Sequence, residues 1–124
     1  QADAAADIVT QVRQRAFKNN PSKAIVTGAQ LAANTKYKYG YVENYVIAEL
    51  GDQTPVQYGG LYDELGYEFA CEWTRRRDMI RFGTYTTKSW LSHKPQGDKV
   101  KVFPYPQSFL DANPNFKQNP NYGK

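Results

Sequence analysis

The sequence is poor in the residues that cross-link small proteins or bind metals. Its 124 residues include one cysteine, Cys71, and one histidine, His93. A single cysteine excludes an internal disulfide, and one Cys with one His cannot supply the four ligands of a structural zinc site. Cys71 stands between Ala70 and Glu72 without a neighbouring histidine, so we expect a buried, inert thiol and not a nucleophile.

Long apolar runs are also missing from the sequence. No segment approaches the roughly 18 consecutive apolar residues that a membrane-spanning helix needs. The first residues, QADAAADIVTQ, lack the basic region and apolar core of a signal peptide. If the protein is exported, we expect its targeting signal upstream of this chain.

Aliphatic residues are scarce, and tyrosine partly replaces them. Ile, Leu, Val and Phe make up 24 of 124 residues, whereas the chain has ten tyrosines and two tryptophans, with a net charge of +4. A tyrosine buries its ring but keeps its hydroxyl on a polar partner or in water. The composition therefore predicts a shallow core, aromatic surfaces and little stability of the chain alone.

The residue pattern divides the chain into four segments and predicts a mainly α fold with two principal helices. Residues 1 to 18 are expected to form a helix, 19 to 53 a loop-rich region, 54 to 83 the main helix, and 84 to 124 an extended, proline-rich tail. The tail holds five of the seven prolines. In the first helix the apolar positions are Ala5, Ile8, Val9, Val12 and Ala16.

The main helix carries the clearest local signals. Thr54 is a suitable N-cap, Pro55 suits the first helical position, and Gln57 completes a capping box. An apolar stripe then runs to Phe82, and Gly83 fits a C-terminal stop. The stripe consists of Leu61, Leu65, Phe69, Trp73 and Ile80.

The run CEWTRRRDMIRFG, residues 71 to 83, poses the question of whether its arginines bind phosphate or brace the fold. On one helix Glu72 can reach Arg75 and Arg76, and Asp78 stands three residues from both Arg75 and Arg81. Because carboxylate partners are at hand, we interpret the run as structural. The predicted ion network comprises Glu64, Glu68, Glu72, Arg75, Arg76, Asp78 and Arg81.

The same glutamates do not point to a metal site or to catalysis. Carboxylate metal sites in helical bundles pair a Glu with a His three residues on, and His93 is distant in sequence. Acid-base catalysis by Glu64 and Glu68 would need a second catalytic group that the pattern does not supply. We therefore do not expect an enzyme.

Two aromatic clusters, KYKYGY at 36 to 41 and YTTKSW at 85 to 90, are the candidate binding segments. Alternating Lys and Tyr could stack on single-stranded nucleic acid, and flat rings flanked by polar groups equally suit the apolar faces of sugars. Packing against a neighbouring element is the simpler alternative for each cluster. The candidate glycan contacts are Tyr37, Tyr39 and Trp90.

Three motifs resemble signatures of the SusD/RagB family of glycan-capturing outer-membrane lipoproteins of Bacteroidetes. LYDELGYEFACEWTRRRDMIRFG is similar to the family pattern D-E-R-x-x-E-L-x-x-E-G-x-R-x-x-D-L-x-R-W. VFPYPQSFLDANPNFKQNPNYG resembles the closing F-P-I-P, N-P and Q-N-P-G-Y, and VRQRA resembles V-R-x-R-A of a preceding helix. This chain departs from the family at Leu65 for Arg, Trp73 for Gly, Tyr105 for Ile and Asn121 for Gly.

The resemblance implies the C-terminal segment of a larger, mostly helical, SusD-like protein with tetratricopeptide-like repeats. Such proteins are anchored to the outer-membrane surface by an N-terminal lipid, which would lie upstream of this chain, and pass oligosaccharides to a SusC-like TonB-dependent transporter. The implied partners are an oligosaccharide or polysaccharide, that transporter, and the remaining N-terminal part of the same protein, with no nucleic acid and no cofactor.

Two alternatives stay open at this point. One is capture of peptides instead of glycans within the same family. The other is a small basic nucleic-acid-binding module, whose affinity would fall steeply with salt.

Overall fold

A computed structural model describes residues 1 to 123. Within this range there are five α-helices and little strand, so the mainly α prediction is confirmed. The helices are α1 (Ala2–Gln14), α2 (Gly28–Ala32), α3 (Gly59–Glu68), α4 (Arg75–Arg81) and α5 (Gln107–Ala112). Two short 3-10 turns, Pro21–Ala24 and Asp98–Lys101, lie in the connections.

The first helix ends earlier than the predicted segment, at Gln14, and α2 packs across it. The backbone N–H of Val26 donates a hydrogen bond of 3.1 Å to the Thr10 hydroxyl on α1. Gly28, at the start of α2, approaches α1 so closely that a Cβ there would lie 2.9 Å from the backbone of Ala2. A glycine at this position therefore permits the contact between the two helices.

A capping box forms at Thr27 and not at Thr54. The Thr27 hydroxyl accepts from the Gln30 N–H at 3.2 Å, and the Gln30 side chain accepts from the Thr27 N–H at 2.8 Å. TGAQ and TPVQ have the same spacing, but the N-cap of α3 is Tyr58. The Thr54 carbonyl instead accepts a hydrogen bond from the Lys88 ammonium at 2.5 Å.

The region predicted to be loop-rich, 19 to 53, contains a β-hairpin. Strands β1 (Gly40–Glu43) and β2 (Val46–Glu49) pair antiparallel. Asn44 and Tyr45 join them with φ of 49° and 66°, which suits a two-residue hairpin turn with left-handed residues. Strand β3 (Trp90–Leu91) pairs in parallel with β1, so the sheet has the order β2-β1-β3 and connects this region to the last segment of the chain.

The segment predicted to be one main helix, 54 to 83, contains two. α3 ends at Glu68 and α4 begins at Arg75. Between them Cys71 and Trp73 have φ of 67° and 62°, in the left-handed region that a right-handed helix cannot contain. The Trp73 side chain is exposed, so the predicted apolar stripe stops at Phe69 and does not include Trp73. Cys71 lies in the same turn and is exposed too, so the prediction of a buried thiol is wrong.

The core is small, as the shortage of aliphatic residues predicts. The central cluster consists of Val56, Tyr62 and Met79. The Tyr62 and Thr84 hydroxyls lie 3.2 Å apart, so the buried phenol has a polar partner. Partly buried aromatic residues surround the cluster: Tyr39, Phe82, Tyr85 and Trp90.

The last segment is folded and not simply extended. Around α5 the rings of Tyr105, Phe109 and Phe116 pack together, with centroids 4.9 to 5.7 Å apart. The Gln118 amide holds the backbone of Tyr105 by two hydrogen bonds, accepting from its N–H at 2.8 Å and donating to its carbonyl at 2.9 Å. These contacts make a local unit of the tail.

Two further residues of the closing motif donate hydrogen bonds to the backbone at the start of the segment FPYP and at the residue before it. Asn119 donates to the Phe103 carbonyl at 2.6 Å, and the Tyr122 hydroxyl donates to the Val102 carbonyl at 3.1 Å. Asn121, which replaces a family glycine, has a φ of 68°. Asparagine adopts this left-handed conformation more readily than most residues, so the substitution is tolerated.

Candidate functional site

The three aromatic residues predicted to contact glycan lie in two places. Tyr39 and Trp90 both pack against the core cluster. The pairing of β1 with β3 brings them to the same cluster, since Trp90 is the register partner of Gly40. Tyr37 lies outside the cluster and is 55% exposed.

Tyr39 is part of the packing around the core. Its hydroxyl donates a hydrogen bond of 3.0 Å to the Tyr62 hydroxyl, and the Lys88 ammonium lies 5.3 Å from its ring centroid. Burial, and then the bond to Tyr62, raise the pKa of Tyr39 far above its ordinary range. The phenol therefore stays protonated and able to donate.

Trp90 belongs to a stack of three rings. Its indole lies on the His93 imidazole, with centroids 3.7 Å apart and an interplanar angle of 18°. The Tyr85 ring flanks both, at 6.0 Å from Trp90 and 5.7 Å from His93. Two backbone hydrogen bonds between Trp90 and His93, of 2.8 and 3.2 Å, hold the turn that makes this stack.

Tyr37 forms an exposed pair with Tyr67 of α3. The two hydroxyl oxygens lie 2.7 Å apart, and the rings meet at 72° with centroids 6.4 Å apart. The Lys36 ammonium lies 5.6 and 5.1 Å from the two centroids. The hydrogen bond with Tyr67 raises the pKa of Lys36, so the side chain stays cationic at neutral pH. The result is a solvent-facing group of two phenols and one cation.

An apolar groove of about 900 Å³ lies between α1 and α3, and Lys36 and Tyr67 also line it. Ion pairs connect the two helices: Arg13 to Glu64 at 2.7 Å, and Arg15 to Glu68. Two of the predicted network carboxylates thus join α3 to α1 and not to later residues of their own helix. The apolar walls are Ile8, Val9, Val12, Leu61, Leu65 and Phe69.

Two arginines of the central run are held by the fold. The Arg75 guanidinium donates to the Tyr62 carbonyl at 2.8 Å. Arg76 donates to the Val100 carbonyl at 2.6 Å and lies over the rings of Phe103 and Tyr85, at 4.3 and 5.2 Å from their centroids. Carbonyls and aromatic faces, rather than Glu72, are therefore the partners of these two arginines.

The remaining members of the predicted network are less connected. Asp78 is buried, and its nearest cation is Arg77, at 3.8 Å. Its Oδ2 has no hydrogen-bond partner within residues 1 to 123. Neither Glu72 nor Arg81 forms an ion pair in that range. The turn between α3 and α4 takes Glu72 out of helical spacing with Arg75 and Arg76. Asp78 and Arg81 keep their spacing on α4, and the structure offers no explanation for the pair they do not form.

Sequence reasoning missed Tyr67 and the groove. Tyr67 lies 30 residues after Tyr37, and no local pattern connects them. Lys36 belongs to the candidate segment KYKYGY, although it was not among the three named glycan contacts. In the described part of the chain no group of three or more His, Cys, Asp or Glu side chains is placed to hold a metal ion. Nor, among those residues, does any helix combine the length and apolar character needed to cross a bilayer.

Comparison with known proteins identifies the family. Residues 1 to 122 match the model of the SusD family. The starch-binding protein SusD of Bacteroides thetaiotaomicron is 36% identical over 70 residues, which are 50% of this chain and 13% of that protein. This chain therefore spans only a small part of that relative, and no solved structure matches it. The resemblance seen in the charged and closing motifs is confirmed, and the chain belongs to the SusD family.

Proposed function

We propose that this chain is part of a cell-surface glycan-binding protein that captures oligosaccharides for uptake. Membership of the SusD family and similarity to a starch-binding protein support the proposal. The observation in this chain that carries it is the exposed pair Tyr37 and Tyr67 beside Lys36. Aromatic rings suit the apolar faces of sugars, and the hydroxyls and ammonium supply hydrogen bonds to sugar hydroxyls.

The three predicted glycan residues take different parts in this proposal. Tyr37 makes the direct contact, because its ring is exposed and its hydroxyl lies at the surface. Trp90 contacts the glycan through the side of its indole that His93 does not cover. Tyr39 positions β1 through its bond to Tyr62 and its packing against the core.

Transfer to a transporter completes the proposed role. A SusC-like TonB-dependent transporter would receive the captured oligosaccharide, and the protein would lie on the outer-membrane surface, anchored by a lipid in a region upstream of this chain. Family membership supports this step. Capture and transfer require binding only, so we assign no catalytic residue and no cofactor.

The groove between α1 and α3 supports a further partner, the remaining N-terminal part of a longer protein. Ile8 is 62% exposed in the groove, although it belongs to the apolar stripe of α1. The chain covers 13% of its SusD relative, so a protein of that length would have other helices able to cover these residues. We propose that an amphipathic helix from that part covers Ile8 in the groove and leaves Lys36 and Tyr67, at its edge, free for the glycan.

The salt dependence of binding separates glycan from nucleic acid as the ligand. Arg75 and Arg76 donate to backbone carbonyls and lie against aromatic rings, so they are engaged within the chain. The side chains of Arg15 and Arg77 are 67% and 66% exposed and face solvent. Phosphate binding by such cations would weaken steeply as salt rises. Glycan binding should change little between low and high salt.

Isothermal titration calorimetry with soluble oligosaccharides tests the proposal. The probes are maltoheptaose, a xylo-oligosaccharide and a manno-oligosaccharide, each at low and high salt. Tyr37→Ala and Tyr67→Ala should each weaken binding by about tenfold, a loss of about 1.4 kcal/mol. Tyr45→Ala is the matched control, because Tyr45 is fully exposed on the hairpin turn, away from both clusters. Binding of an oligonucleotide or a peptide, with none of the glycans bound, would overturn the proposal.

A further inference from the structure

Trp73 presents its indole to solvent from the turn between α3 and α4. The residue is 98% exposed and has a φ of 62°. For an L-residue this left-handed conformation brings the Cβ close to the following carbonyl oxygen and is unfavourable. Glycine adopts it without this strain, and glycine is what the family pattern has here. The chain therefore places its largest apolar side chain where the backbone disfavours any side chain.

Burial of the ring does not compensate for this strain. A tryptophan with 98% of its surface exposed contributes almost nothing to the core. Strained residues that the surrounding structure does not need for packing occur preferentially at functional sites. The position of Trp73 thus indicates that the ring makes a contact outside the chain.

A shallow depression of about 500 Å³ lies beside the ring. Leu65 and Phe69 supply apolar walls, and Thr74 supplies a hydroxyl. That hydroxyl is buried and has no hydrogen-bond partner among residues 1 to 123. Apolar surface and an unpartnered polar group thus occur together next to an exposed indole.

This chemistry favours a sugar ring over a protein surface. Glu72 and Thr74, which flank Trp73 in the chain, place polar groups next to the indole. A sugar needs one flat apolar platform with hydrogen-bonding groups around it. We propose that Trp73 is a sugar-stacking residue of this protein, in addition to the Tyr37 and Tyr67 pair; this inference rests on the proposed glycan-binding function.

Two substitutions separate the contact from the strain. Trp73→Gly removes the ring and also the unfavourable backbone, so the Tm should rise by about 2 to 4 °C while glycan affinity falls about tenfold. Trp73→Ala removes the ring but retains a side chain at positive φ, so affinity should fall equally with a smaller rise in the Tm. Both are measured in the longer protein that contains this chain, with the oligosaccharide that the wild type binds best among those named above.

Fluorescence gives a second measurement that does not depend on the calorimetry. Trp73 and Trp90 are the only tryptophans, so the difference between the wild type and Trp73→Phe reports the Trp73 emission. Iodide should quench this difference signal strongly in the free protein, and the oligosaccharide should protect it from quenching. Trp90 remains in both proteins as an internal check on the fold.

The possible outcomes distinguish the two proposals. If the wild type binds an oligosaccharide and both variants bind it equally well, this inference fails and the proposed function stands. If the wild type binds none of the probes, the proposed function fails and this inference fails with it. If the wild type self-associates at micromolar concentration and Trp73→Ala is monomeric, the ring belongs to a protein interface and the inference is overturned.

Discussion

The guanidinium of Arg75 lies 3.7 Å from the centroid of the Tyr62 ring and donates a hydrogen bond to the carbonyl of the same residue. Tyr62 is 1% exposed and is the largest side chain of the core cluster. Because Tyr62 belongs to α3 and Arg75 begins α4, this contact holds the two helices together across the turn. We therefore expect the arginine to stabilise the fold.

Replacement of Arg75 should destabilise the protein. Arg75→Ala should lower the free energy of unfolding by about 1 to 3 kcal/mol, because it removes a partly buried charged hydrogen bond and a cation-π contact. Urea denaturation measures the change. Arg81→Ala is the control, since Arg81 is exposed and forms no ion pair within residues 1 to 123, and it should stay within about 0.5 kcal/mol of the wild type. Equal losses in the two variants would contradict the structural role of Arg75, as would weaker glycan binding with an unchanged Tm.

Stability should fall in acid, in part through Asp52. Hydrogen bonds from Thr54, and then the nearby Lys88 charge, lower the pKa of Asp52. A carboxyl whose folded pKa lies below its unfolded value of about 3.9 stabilises the fold above that pH. This contribution is lost as the pH falls through the folded pKa.

Asp52→Asn should therefore reduce the loss of stability between pH 6 and pH 3, measured as the shift in urea midpoint. Some loss of stability in acid should remain, because Asp98 still titrates in this variant. The hydrogen bond from Lys101 lowers the pKa of Asp98 in the folded protein. Asp7→Asn, at an exposed position on α1, serves as the control and should leave the acid dependence as in the wild type. An Asp52→Asn protein with the wild-type acid dependence would rule out this contribution.

The tail should open locally when Gln118 is replaced. Gln118→Ala removes both hydrogen bonds to the Tyr105 backbone, with a local cost of about 1 to 3 kcal/mol. Amide hydrogen exchange should become faster at Tyr105, and exchange at the core residue Met79 should be unchanged. Gln96→Ala, in an exposed loop, should change neither amide. Faster exchange at Met79 would show that tail and core unfold as one unit.

Leu31 and Ile8 should respond differently to truncation. Leu31 is 2% exposed, so Leu31→Ala should cost about 2 to 5 kcal/mol of unfolding free energy. Ile8 lies open in the groove, so Ile8→Ala should stay within about 0.5 kcal/mol of the wild type. Thermal denaturation of both variants measures the two changes in stability. A large loss at Ile8 would mean that the groove is already closed in this chain.

Some features of this protein could be predicted from its sequence, and others could not. The charged motif and the closing motif were recognisable because their residues stand at fixed local spacing, and the family match agrees with them. The prediction of one continuous helix over residues 54 to 83 was wrong. Cys71 and Trp73 have positive φ, a conformation that neither side chain favours, and the helix is interrupted there. The departure from the family glycine at Trp73 was visible, but the conformation of that position was not.

The capping box shows a second limit of prediction from local sequence patterns. TGAQ and TPVQ carry the same T-x-x-Q signal, yet only Thr27 caps a helix. The Thr54 carbonyl is instead held by Lys88, which comes from a segment 34 residues away. Local spacing cannot choose between two such sites when a distant side chain decides the outcome.

The order of the residues was sufficient for the family, the mainly α class and the shallow aromatic core. These properties depend on composition and on spacings of a few residues. The actual partners were decided by the packing of distant segments: Arg13 pairs with Glu64 across 51 residues, and Tyr37 meets Tyr67 across 30. Such contacts depend on how helices and strands are placed in space, and helical spacing within one segment carries no information about that placement.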